Sequence, residues 1–102
     1  MAYESGALDA TLAAAAGDDP ALMAELRAAF AESLERQVDL LHRARCDGNW
    51  AVAAMRLKGL AASFHATDLI DLADEALEGA PGDPVVLRRI SKFVQEFAAH
   101  YG

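Results

Sequence analysis

Leu22, Leu26, Phe30, Leu34, Val38 and Leu41 follow one another at steps of three or four residues, and the pattern holds until Cys46-Asp47-Gly48-Asn49. That spacing places large apolar side chains on one face of a helix, whereas a strand would scatter them over both faces. The segment predicts a helix of roughly 26 residues, or about 39 Å. Composition agrees: alanine fills 24 of the 102 positions, while Val, Ile and Thr together fill nine, which favours helices and starves a sheet. The expected class is all-α. A chain of 102 residues buries roughly 60 to 70% of its unfolded surface, enough for a single core and one domain.

The punctuation divides the rest. Gly17-Asp18-Asp19-Pro20 offers an aspartate cap followed by a proline at the first helical position, and Ala80-Pro81-Gly82-Asp83-Pro84 repeats that logic. Gly48 is expected to end the long helix in a left-handed conformation and Asn49 to cap the next helix, over 49–65, with Trp50, Ala53, Leu57, Leu60, Ala61 and Phe64 on its inner side. Thr67 is read as the cap of a further helix, with Leu69, Leu72, Ala73 and Ala76 inward, Asp71, Asp74, Glu75 and Glu78 mostly outward, and its end at Gly79. Val86, Ile90, Phe93, Val94 and Phe97 form the last apolar stripe. Residues 7–16, with Leu8 and Leu12 as their only large apolar side chains, predict a shorter helix across one end. The expected architecture is an antiparallel four-helix bundle over about 19–101 with a short additional N-terminal helix, residues 1–6 being flexible.

Charge and composition narrow the function. A net charge of -7 opposes binding to nucleic acid, which needs concentrated Lys and Arg. No apolar stretch approaches the ~20 residues of a membrane span, and the N-terminus lacks the pattern of an export signal, so a cytoplasmic location is expected. Cys46 is the only cysteine; with no partner for a disulfide and no base beside it, it is read as structural or incidental. The carboxylates Asp68, Asp71, Asp74, Glu75 and Glu78 lie along one helix and read as a solvated face; no metal site or cofactor is expected.

The helix over 49–65 carries the unusual feature. At about 100° per residue, Met55 points almost opposite to Trp50, Leu57, Leu60 and Phe64 and is expected to face solvent. Gly59 lies one turn further along the same side, with Ala51, Val52, Ala62 and Ala66 nearby and Arg56, Lys58 and Ser63 at the flanks. A surface helix ordinarily puts charges there. A glycine in an exposed helix interior costs about 1 kcal/mol relative to alanine, a penalty best tolerated where another backbone comes close. The strip therefore reads as a contact surface, covered by a partner, by a second copy or by a neighbouring helix.

The run Met55-Arg56-Leu57-Lys58-Gly59-Leu60-Ala61-Ala62-Ser63-Phe64-His65-Ala66 resembles the signature of the histidine phosphotransfer (HPt) domain of bacterial phosphorelays. That signature reads His-x-Leu-Lys-Gly, then Ser or Ala positions, then Gly-Ala some six residues on. Supporting similarity covers roughly 17–97: Leu26 and Phe30 with Leu40-Leu41, then Asp47-Gly48-Asn49-Trp50, then Leu69 through Leu77-Glu78. The resemblance implies a four-helix bundle, Lys58 as the cation for a phosphoryl group, and Gly59 as the point that admits a receiver domain. Two positions depart from the pattern: Met55 stands where the family carries its phosphorylated histidine, and His65 stands where it carries the later glycine. A thioether offers no nitrogen to attack an aspartyl phosphate, so docking would survive without the chemistry. His65 lies about 15 Å further along the helix axis and cannot take over. His42 and His100 are read as surface histidines.

The first expectation is a monomeric, non-enzymatic adaptor that binds a response-regulator receiver domain or a histidine kinase through Val52, Met55, Arg56, Lys58, Gly59, Ala62 and Ser63. The second is an HPt phosphocarrier present as a His-to-Met variant at position 55, or one using another histidine. The third is a bundle that self-associates through the Met55 strip.

Overall fold

The structure, a computed structural model, describes residues 6–101, with side chains over 8–97. The expected flexibility of residues 1–6 therefore falls outside the described residues except at Gly6, and the His100 side chain is also outside them. Five helices follow in order: α1 (Gly6–Ala16), α2 (Pro20–Arg43), α3 (Asp47–Ser63), α4 (Thr67–Glu78) and α5 (Pro84–Tyr101). There is no strand among the described residues.

Two of the starts obey local chemistry. Asp19 sits in an extended conformation and its carboxylate accepts hydrogen bonds from the Ala21 and Leu22 amides at 3.0 and 3.2 Å, with Pro20 as the first helical residue. Asp83 does the same for the Val85 amide at 3.0 Å. Both serve orphan donors at the head of a helix.

The α2–α3 turn departs from expectation. α2 has 24 residues and stops at Arg43, the chain reverses through Ala44, Arg45 and Cys46, and α3 begins at Asp47. Gly48 and Asn49 therefore lie in the first turn of α3 and neither ends nor caps a helix. The carbonyls that a left-handed glycine would have satisfied are served by Arg45, whose guanidinium donates to the His42 and Ala44 oxygens at 2.8 and 3.3 Å. Ala44, extended and buried, anchors the reversal. Asp47 in the first turn of α3 favourably meets the positive end of its dipole.

α3 ends two residues earlier than expected, in a Schellman closure. The Ala66 amide donates to the Ala61 oxygen at 2.9 Å and the His65 amide to the Ala62 oxygen at 3.1 Å. His65 takes the left-handed conformation, with φ of 55°. Thr67 is the first residue of α4 rather than its cap, because Ala66 fills the position before it and is drawn inside by the closure. Gly79 ends α4 as expected, in an extended conformation.

α2 touches α3, α3 touches α4, α4 touches α5, and α5 returns to α2, and buried residues of all five helices form one apolar core. Phe30, Leu34 and Leu41 of α2, Leu57 of α3, Leu69 of α4 and Ile90 of α5 are fully buried in it. α1 packs on α2 and adds Leu8 and Leu12. The Phe30 ring lies 4.7 Å from that of Phe64 and 5.2 Å from that of Phe97. Trp50 is buried as expected, and its indole N–H donates to the Ala76 oxygen at 2.6 Å. Phe64 is only half-buried, as is Leu60: both lie at the edge of the core rather than within it. No helix of the described residues is long and apolar enough to cross a membrane.

Candidate functional site

α3 is held from inside by Trp50, Ala53, Ala54, Leu57 and Ala61, all buried. That choice of inner face turns Val52 and Met55 outward, 51% and 59% exposed, the latter the most exposed large apolar side chain among the described residues. Gly59, one turn after Met55, is exposed, and Arg56, Ala62 and Ser63 are exposed around it. The predicted residues therefore share one outer face, with two corrections to its margins: Ala51 is half-buried, and Ala66 is buried by the turn into α4.

Gly59 is the informative residue. A Cβ built there would meet nothing within 4 Å. Among the described residues no neighbouring helix comes close enough to require a glycine, so nothing in them offsets the penalty of about 1 kcal/mol for glycine in a helix. The Ser63 hydroxyl, one turn on, donates to the Gly59 oxygen at 2.9 Å, keeping its polar atom on its own helix.

The cations around the strip are unequal. Lys58, half-buried, reaches sideways and places its amine 2.7 Å from the Asp74 carboxylate on α4. Arg56 has no carboxylate partner among the described residues. Arg43 pairs with Asp39 one turn back at 3.1 Å.

The face also extends further than the sequence reading took it. A groove of about 410 Å³ between α2 and α3 is lined by Leu40, Arg43, Ala44, Asn49, Val52, Ala53 and Arg56. Leu40 is 37% exposed and Leu41 is fully buried. The adjacent pair Leu40-Leu41 carried the signal, since neighbours on a helix point about 100° apart and both cannot face one core. Val52 belongs to both the strip and this groove, whose other exposed lining residues are Leu40, Arg43, Asn49 and Arg56.

The histidines stand elsewhere. His42, exposed on α2, turns toward α5, with Nε2 3.3 Å from the Ser91 hydroxyl; it does not approach the outer face of α3. His65 occupies the left-handed position after α3, and its Nδ1 lies 2.7 Å from the Thr11 hydroxyl of α1. Cys46 is exposed just before α3. Among the described residues no group of three or more His, Cys, Asp or Glu side chains is arranged to hold a metal ion.

This site combines an exposed apolar strip, an open glycine and flanking cations, with the Ser63 hydroxyl bonded to its own helix. Comparisons with family models, with curated proteins and with solved structures find no match to this chain.

Proposed function

We propose that this chain is an HPt-like signalling adaptor, an antiparallel four-helix bundle of α2 to α5 with α1 added, that docks a receiver domain or a histidine kinase without carrying phosphate. The single observation behind this reading is Gly59: exposed, with no neighbouring helix of the described residues within 4 Å of where its Cβ would lie, and one turn from an outward Met55. Such a glycine makes physical sense where a partner backbone approaches the helix. Methionine suits the same purpose, because its flexible thioether adapts to irregular apolar surfaces. Val52, Arg56, Lys58, Ala62 and Ser63 complete the contact, and Arg56 favours a partner with acidic character. The protein works as a cytoplasmic monomer, by occupancy rather than catalysis.

The turn after α3 supports the resemblance independently. The family pattern carries glycine at position 65, and His65 holds here the left-handed backbone that glycine adopts most readily.

Calorimetry with candidate receiver domains tests the reading. Gly59→Glu places a charged side chain on the strip and is expected to weaken binding at least about tenfold, or about 1.4 kcal/mol, with the melting temperature little changed. Equal affinity of the two proteins eliminates this face. Incubation with a phosphorylated receiver is expected to leave no acid-labile phosphate on the chain, and a stable phosphate would replace the adaptor reading with that of a carrier.

A further inference from the structure

On another flank of α2, its end and α5 border a second, open groove of about 450 Å³. Pro84 and Leu87 give it an apolar floor, and His42, Arg88, Ser91 and Lys92 supply its polar groups. Positions 84, 88, 91, 92 and 95 of α5 fall at helical spacing on one face, and His42 meets that face from α2 through its 3.3 Å contact with Ser91. Although the chain carries a net charge of -7, no carboxylate lines this groove. Carboxylates stand instead in the neighbouring groove between α4 and α5, where Asp68, Asp71, Glu75 and Glu96 are joined by Arg89 and by Lys92, which borders both grooves.

Arg88 has no carboxylate partner among the described residues, and Lys92 has only a long contact, 3.8 Å, with Glu96. The negative end of the α2 dipole, which would oppose an anion beside His42, is offset by Arg45 bonded to the His42 and Ala44 oxygens. Remote carboxylates matter little, because solvent-exposed charges are screened over about 8 Å at physiological ionic strength.

We propose that the α2–α5 groove binds a compact phosphate-bearing small molecule, its phosphate held by Arg88, Lys92, Ser91 and His42 and its apolar part resting on Leu87 and Pro84. A guanidinium, an ammonium, a hydroxyl and an imidazole form a donor set suited to phosphate oxygens, and an open groove of this size admits a small organic ester. This site lies on different helical faces from the Met55 strip and does not depend on its reading.

Titration of the isotopically labelled full chain with phenyl phosphate at constant ionic strength, followed by amide shifts, is the test. Saturable shifts centred on residues 82–95 and on His42 are expected, with binding weakened about tenfold or more in the Arg88→Gln, Lys92→Gln double variant. Inorganic phosphate, which cannot use the apolar floor, is expected to bind about threefold more weakly. Ser91→Ala provides a second, smaller change should the double variant fail to fold, and is expected to weaken binding with the melting temperature unchanged. Shifts that do not saturate, shifts centred on Arg43 and Arg56, or affinity unchanged by the substitutions would overturn the proposal. Equal affinity for the two probes would overturn the organic ester as its occupant.

Discussion

α3 and α4 pack against each other along their inner faces, yet their outer faces differ. α4 presents Asp71, Glu75 and Glu78 to solvent, and Glu75 is tied to Arg89 of α5 at 2.7 Å. α3 presents Val52, Met55, Gly59 and Ala62. The two helices solve the same packing problem inside, so the difference outside is not a requirement of the fold. An exposed helical face with few charges is where selection for something other than stability is visible.

Substitutions can break or sharpen that contrast. The largest effect is expected on the shared inner face: Leu57→Ala should cost about 2–5 kcal/mol in urea unfolding, because the side chain is fully buried. Met55→Ala, two residues away but outward, should change stability by no more than about 0.5 kcal/mol. A large effect at Met55 would mean that the strip is covered within the chain. Trp50→Phe removes the bond to the Ala76 oxygen and some core volume, for an expected loss of about 1–3 kcal/mol. Since the Gly79 amide also donates to that oxygen at 3.2 Å, a value near the lower end is consistent with a carbonyl that keeps one partner.

Two smaller effects differ in sign. Gly59→Ala should stabilise the protein by about 1 kcal/mol, because the added methyl meets nothing. A destabilising result would reveal a close neighbour and remove the reason for assigning the glycine to a partner. Asp74→Asn frees Lys58 from an ion pair whose side chains are 44% and 42% exposed, and its cost should stay below about 1 kcal/mol and shrink further in high salt.

Much of this was legible in single stretches of chain. Asp19-Pro20 and Asp83-Pro84 announce their helices because a cap and a first-turn proline act over three or four residues. Met55 can be placed outside for a related reason: the period of the helix ties its direction to those of Trp50 and Leu57. The α2–α3 turn departs from the glycine signal because glycine is only one way to close a helix, and Arg45 supplies another that is invisible until its reach is known. The residue type of His65 does not mark its left-handed backbone, although the pattern it resembles carries glycine there; the bonds that impose it come from Ala61 and Ala62 together with the burial of Ala66.

By itself, then, the sequence determined an all-helical chain, the inner face of each helix and an outward Met55, all consequences of spacing and of chemistry between near neighbours. Tertiary structure alone decided that Lys58 turns to Asp74, that His42 faces α5, that Phe64 and Leu60 stop at the edge of the core and that Leu40 lines an open groove beside Val52. Those outcomes depend on which helix stands beside which, and residues distant along the chain meet only after the core has brought their helices together.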